Sequence, residues 1–201
     1  MIKLLGSIPR QKIWVACSGG VDSVVAVDFL RRSHDIGIAF FHHGTKTSDE
    51  AIDFITSHKQ FNNLTIAIDY CKKEKPSELS MEEFWRNERY TFLEKLKEPV
   101  ITAHHLDDAV ETYIWRMCNG RSDTIPYKRN NIIRPFLITP KQELLNWAHK
   151  NNLIWKEDMS NQDTSYTRNY IRTNVVPHLL KVNPGLPKIV AKKYTGEQDV
   201  T

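Results

Sequence analysis

Short uninterrupted apolar runs alternate with longer periodic stretches along the first half of the chain. Residues 12–17 (KIWVAC) form such a run, closed by a glycine-rich turn, and predict a strand buried on both faces. An apolar helix is predicted over residues 23–32 and a second strand over 36–42 (IGIAFFH). A helix over 49–60 turns Ala51, Ile52, Phe54 and Ile55 inward, and 64–68 give a third strand. After a polar loop at 72–79, residues 80–96 are an amphipathic helix. In it Met81, Phe84, Trp85, Phe92, Leu93 and Leu96 recur at three- and four-residue spacing. Ser80 with Glu83 is a capping-box pair at its start. Residues 99–103 (PVITA) predict a fourth strand and 107–118 another helix. Strand–helix units in series predict a parallel sheet with helices on both faces.

The rhythm then changes. Residues 119–131 are polar and read as a loop, and 130–135 as a short fifth strand. A helix over 139–151 has Thr139 as cap and Pro140 at its first position. Residues 158–165 are turn formers. A basic helix over 167–176 is ended by Pro177. The tail from Lys181 carries Pro184, Gly185 and Pro187, and its last seven residues are expected to fray. The expected class is α/β, a doubly wound parallel five-stranded sheet with a small C-terminal helical extension. Residues 1–135 would form the nucleotide domain, and 136–201 the extension that completes the site.

Composition narrows this further. With 40% hydrophobic and 26% charged residues the chain is of ordinary globular type. No window nears eighteen apolar residues, which excludes a membrane-spanning helix. Residues 1–10 hold too short an apolar stretch for a secretory leader. Cys17, Cys71 and Cys118 are odd in number and widely spaced, against a disulfide framework or a C-x-x-C site, so a cytoplasmic location is expected. The net charge of +4 is unevenly spread: residues 1–120 carry 15 Lys+Arg against 17 Asp+Glu, residues 121–201 carry 13 against 7. A basic C-terminal part suits a phosphate backbone, and equally a lysine-decorated surface.

Ser18-Gly19-Gly20-Val21-Asp22-Ser23 lies between the first strand and the first helix. Ligands of doubly wound sheets bind there, beyond the carboxyl end of a strand. Two glycines let the backbone approach an anion and turn N–H groups toward it, and the helix N-terminus adds its positive end. Ser18 and Ser23 can donate hydroxyl bonds to phosphate. Asp22 would repel a bare phosphate, so its expected partner is a nucleotide-borne Mg²⁺. Neither G-x-x-x-x-G-K-[ST] nor G-x-G-x-x-G occurs. A second motif, His104-His105-Leu106-Asp107-Asp108-Ala109-Val110-Glu111, spans the end of the fourth strand and the start of its helix. Asp108 and Glu111 share a helix face and can hold Mg²⁺ or a cationic substrate; Asp107 can cap. The histidines lack the further ligands a zinc site needs.

The S-G-G-V-D-S turn resembles the PP-loop of the N-type ATP pyrophosphatases. With it stand F-H-H-G at 41–44, R-N-E-R-Y at 86–90, A-H-H-L-D-D-A-V-E-T at 103–112, I-R-P-F-L at 133–137, E-D-M-S-N at 157–161 and Y-T-R-N-Y-I-R at 166–172. Together, over about residues 12–184, these are similar to the tRNA(Ile)-lysidine synthetase family.

That resemblance implies use of ATP and Mg²⁺, and conversion of the wobble cytidine of a CAU-anticodon isoleucine tRNA to lysidine. AMP would go onto the carbon-2 oxygen of cytosine, and free L-lysine would then displace it. Ser18, Gly19, Gly20, Val21, Asp22, Ser23, His43 and His104 would contact ATP, with Asp22 on the metal. Asp22, Asp108 and Glu111 would be catalytic, the last two binding lysine. Arg86, Arg89, Arg134, Arg168, Asn169 and Arg172 would meet phosphates of ATP or of the tRNA anticodon stem-loop. Family members usually carry further C-terminal domains that grip the acceptor stem, so this chain is expected to be a minimal form, a variant with relaxed or partner-assisted recognition, or a truncated chain. No membrane partner is implied, and the oligomeric state stays open, a homodimer included. Other readings are another amine or a thiol on a tRNA cytidine, a tRNA-binding homologue without catalysis, and a generic nucleotide-binding module. The absence of a C-x-x-C pair weighs against thiolation.

Overall fold

The computed structural model describes residues 1–157 and 167–196. Six strands form one sheet in the order β3-β2-β1-β4-β6-β5. They are β1 (Ile13–Ala16), β2 (Ile36–His42), β3 (Thr65–Tyr70), β4 (Val100–Ile101), β5 (Lys128–Arg129) and β6 (Ile132–Ile133). The five expected parallel strands are present, from the β3–β2 ladder to the β4–β6 ladder.

Alternation along the strands sorts the core into two layers. Ile13, Val15, Ile36, Ile38, Phe40, Ile101 and Ile133 point to one face, under α1 (Val21–Leu30), α2 (Lys46–Ser57) and α5 (Lys141–Lys150). Trp14, Ala39, Phe41, Val100 and Ile132 point to the other, where α3 (Met81–Lys95) supplies Tyr90, Phe92 and Leu93. A third cluster joins α4 (Leu106–Cys118) to Ile125, Leu137, Ile171 and Val190. Phe136, Leu144 and Ala148 belong to the same cluster as β1 and α1.

Strand order reverses between β1 and β4: connections from β1 run toward β3, those from β4 toward β6. A crevice opens at such a reversal, outside the carboxyl ends of the two strands. The glycine-rich turn follows β1 and the His-Asp-Glu motif follows β4, so the topology brings both to this crevice.

Several local expectations are corrected. Within the expected loop at 119–131, Lys128–Arg129 pairs antiparallel with Ile132–Ile133 as a sixth, edge strand. Asn130 makes the turn in the left-handed region (φ 52°), and Asn131 donates to the carbonyls of Leu93 (3.0 Å) and Leu96 (2.9 Å) at the end of α3. Helix α2 begins three residues earlier than expected, because the Thr45 hydroxyl accepts from the Ser48 amide and caps it. Thr139 does not cap α5, for which Pro140 is the cap. Its hydroxyl is instead bonded to the main chain of Lys3, holding the N-terminal arm. Pro177 does not end a helix. The chain runs from α6 (Thr167–Tyr170) through a π-helical turn at Ile171–Val175 into α7 (Val176–Val182), where Pro177 is accommodated in the first turn. The tail adds α8 (Leu186–Thr195), which packs Val190 and Tyr194 against α4. The expected turn at 158–165, with Asp158, Ser160, Asn161 and Tyr166 of the quoted motifs, lies outside the described residues. No helix among the described residues is long and apolar enough to cross a membrane.

Gly37 faces Trp14 across the β1–β2 ladder. A Cβ there would lie 2.4 Å from Trp14 Cζ3. Gly37→Ala is therefore expected to destabilise the fold by about 2 kcal/mol through overpacking, read as a lowered denaturant midpoint.

Candidate active site

The turn after β1 is shaped by its own hydroxyl and carbonyl groups. Ser23, 7% exposed, donates its hydroxyl to the Gly20 carbonyl (2.8 Å) and accepts from the Ser18 amide (3.2 Å). Gly19 sits at φ +83°, where a side chain would be strained. Its carbonyl accepts from the Lys156 amide at 2.9 Å. Gly20 caps α1 without a side-chain bond, so the first-turn N–H groups are left for water or a ligand. This is an amide cradle at a helix N-terminus, suited to an anion.

Asp22, in the first turn of α1, faces the second motif. Its Oδ2 lies 3.0 Å from Lys141 Nζ and 3.6 Å from His105 Nε2. Its Oδ1 is buried without a hydrogen-bond partner. Burial opposes ionisation, but the nearby His105 ring and Lys141 ammonium hold Asp22 below the usual carboxylate range. His105, 2% exposed, also has Nε2 3.5 Å from Asp108 Oδ2 and Nδ1 3.6 Å from Asp107 Oδ2. Burial alone would lower its pKa; Asp108, Asp107 and Asp22 outweigh that and push it up to about 10. The ring is an imidazolium shared by three carboxylates. Two of these three acids also cap helices: Asp108 accepts the His105 amide (3.0 Å) at the start of α4, and Asp107 accepts the Lys141 amide (2.8 Å) at the start of α5.

One turn along α4, Glu111 is 3% exposed and meets Arg172 from the π-helical turn through two bonds, Nε–Oε1 at 2.6 Å and Nη2–Oε2 at 3.0 Å. Arg172 Nη2 also lies 3.4 Å from Asp108 Oδ1. Burial pushes Glu111 above the usual carboxylate range, opposed by Arg172 and reinforced by the Asp108 charge. Asp108 and Glu111 thus share a face, as the spacing implied, and that face holds a guanidinium. Arg172, grouped by sequence with the phosphate-binding arginines, stands on these acids.

On the α3 side, guanidinium groups surround Tyr90. Arg129, Arg86, Arg89 and Arg134 lie 4.9, 5.0, 5.8 and 5.8 Å from its ring centroid. Arg134, 2% exposed, donates to the Tyr90 hydroxyl (3.0 Å) and the Pro126 carbonyl (2.8 Å). Arg168 donates to Thr112 Oγ1 at 3.1 Å. Arg129 pairs with Glu94, whereas Arg86, Arg89, Arg134 and Arg168 have no carboxylate partner among the described residues. Burial and mutual repulsion lower the pKa of Arg86 and Arg89. His104 lies between this cluster and the acids, with Nδ1 2.9 Å from Thr102 Oγ1. Burial and the charges of Arg134, Arg89 and Arg168 push it down to about 3 against the pull of Asp108, so it is neutral. His43 packs between Phe41 and Trp85, beside the arginine-bearing helix. Asn169 stands with Arg168 on α6.

The structure therefore gathers Asp22 and Asp108 around one ring, and Glu111 with them through Arg172. His105 and Lys141 were not singled out as site residues. His105 was visible in the H-H-L-D-D run. Lys141 carried a weaker signal, a cation in the first turn of a helix, where the dipole disfavours it.

An amide cradle at a strand-order reversal, backed by an acidic helix start, defines a phosphate-binding α/β domain. The pattern that describes the PP-loop domain matches residues 1–179, and the chain belongs to that family. The chain is 34% identical over 203 residues to the tRNA(Ile)-lysidine synthase of Lactiplantibacillus plantarum, covering 91% of this chain and 45% of that one. It is 35% identical over 193 residues to that of Thermosipho africanus, covering 87% and 45%. It spans about half the length of the curated relatives it matches. A solved NH3-dependent NAD synthetase from Campylobacter jejuni overlays with a TM-score of 0.49 at 14% identity, covering 98% of this chain and 91% of that one.

A pKa raised from 6.5 to about 10 means that the contribution of His105 to stability is complete below about pH 6.5 and is lost as pH rises through about 10. His105→Gln should cost about 3 kcal/mol at neutral pH, as expected when buried charges lose their partner. It should also flatten the fall in melting temperature between pH 7 and 10. Thermal melts of both proteins across that range check this.

Proposed function

We propose that this chain carries the ATP-dependent step and the ligation step of tRNA(Ile)-lysidine synthesis. The observation that carries the reading is the meeting, at one strand-order reversal, of an anion-binding turn and a pair of acids able to hold a cationic group. Membership of the PP-loop family supports ATP as the nucleotide. The names of the relatives support a tRNA cytidine as acceptor and lysine as the amine.

In this reading the triphosphate lies on the Ser18–Ser23 turn. The cytosine carbon-2 oxygen attacks the α-phosphorus, and the bond to the bridging oxygen breaks. Its electron pair leaves with pyrophosphate, whose growing charge the preorganised amides stabilise. The amine of lysine then forms a bond to carbon 2, and AMP departs with the oxygen. Asp108 and Glu111 hold the ammonium of lysine, in place of or beside Arg172, and Glu111, with its raised pKa, is the group fitted to take the amine proton. The guanidiniums of Arg86, Arg89 and Arg168, which have no carboxylate partner among the described residues, supply counter-charge for RNA phosphates, and buried Arg134 adds to the local positive charge. Neutral His104, between the two regions, can donate or accept a hydrogen bond without adding charge.

Mg²⁺ fits the residues present. Asp22 Oδ1 lacks a partner beside the turn, and a hard carboxylate oxygen is the donor this ion takes. Among the described residues no group of three or more His, Cys, Asp or Glu side chains is arranged to hold a metal, so the ion would come with the nucleotide. When bound it would neutralise phosphoryl charge.

Incubation with ATP, Mg²⁺, L-lysine and unmodified CAU-anticodon isoleucine tRNA should yield AMP, pyrophosphate and a nucleoside of the mass of lysidine. Pyrophosphate without any mass gain on the tRNA would refute the ligation reading. Asp22→Asn should cut pyrophosphate release by about 100-fold or more. Glu111→Gln should leave pyrophosphate release nearly intact while abolishing lysine incorporation; equal loss of both would remove Glu111 from the ligation step.

A further inference from the structure

Lys141 takes no part in the steps above, yet it touches the residue on which they turn. Its main chain is fixed: the amide is held by Asp107 Oδ2 at 2.8 Å. Its side chain is 40% exposed and reaches Asp22 Oδ2, at 3.0 Å, as its one ion pair among the described residues. A flexible stem with an anchored root and a single contact at the tip can change partners. His105 cannot: it is 3% exposed at its side chain and hemmed by Asp107 and Asp108 as well as Asp22. So Asp22 has one permanent cation and one removable one.

We propose that Lys141 is a catalytic residue that trades Asp22 for the nucleotide: it neutralises Asp22 in the free protein and moves to a phosphoryl oxygen of ATP when a divalent cation takes the carboxylate. This rests on reading the Ser18–Ser23 turn as the ATP site. A divalent ion placed on Asp22 with Lys141 still attached would set three positive centres around one carboxylate. Transfer of the ammonium to the anionic phosphates relieves that crowding. It also delivers a cation where charge builds as the bond to the α-phosphorus breaks. The ammonium keeps its protons throughout, and the electron pair of the broken bond leaves with pyrophosphate. The trade also prevents a bare carboxylate from facing the triphosphate before the metal arrives.

The test is ATP binding by calorimetry, with EDTA and with Mg²⁺, beside pyrophosphate release, in the wild-type chain, Lys141→Met and Lys141→Arg. In Lys141→Met, metal-free ATP affinity should fall about tenfold, because Asp22 is left bare. Mg²⁺–ATP affinity should stay within about threefold, because the lost phosphate contact is offset by the ion pair that no longer has to break. Pyrophosphate release should fall about 100-fold, and Lys141→Arg should restore most of each loss. Equal loss of affinity with and without Mg²⁺ would overturn the proposal, as would release within threefold of wild type. A wild-type chain that binds no ATP would overturn the reading of the turn, and this inference with it. A binding-competent wild type matched by Lys141→Met overturns this inference alone.

Discussion

The buried His105 imidazolium is what joins the pieces of this site. Three carboxylates from two helices converge on it: Asp22 of α1, and Asp107 and Asp108 of α4. Asp107 passes the connection on to the first turn of α5. Carboxylates packed this closely would repel one another and protonate; a cation at their centre keeps all three ionised. The price of burying that charge is what couples a phosphate turn after one strand to an acidic helix after another. The imidazolium ties together side chains that the pairing of β1 with β4 has already brought to one place.

Charge is divided sharply across the crevice. On the α4 side acids outnumber cations and are each engaged. On the α3 side guanidiniums outnumber acids around Tyr90, and most lack a carboxylate among the described residues. An assembly of like charges partly withdrawn from water is tolerated when the aromatic face and hydroxyl of Tyr90 share the load and an anion can complete it. His104, kept neutral, stands between the two halves and feels the charges of both. In the proposed reading, an anionic polymer would arrive on one side and a small cation on the other.

The strands and helices of the first half were legible because burial on both faces gives uninterrupted apolar runs, and the runs at β1 and β2 match closely. The S-G-G-V-D-S turn was legible because glycine pairs and a helix start are local. What escaped was decided by distant contacts. The edge strand of two exposed basic residues has no apolar signature, and it forms because Asn131 is held by the end of α3. Thr139 reads as a cap by local rules, yet its hydroxyl bonds the chain more than a hundred residues away. Helix α8 was hidden by Pro184 just before it and Pro187 in its first turn, though its apolar face finds α4. The pairing of Arg172 with Glu111 depends on a π-helical turn, which no hydrophobic period foretells.

The main-chain bond from Lys156 to the Gly19 carbonyl has a consequence for recognition. The peptide between Gly19 and Gly20 is planar and trans, so its oxygen and its amide hydrogen point in opposite directions. Anchoring the oxygen on one side aims the hydrogen on the other. A glycine pair free to spin would have to surrender that freedom on meeting a ligand. Here a residue well over a hundred positions downstream has already set the plane, and the cradle greets its guest with the amide in place.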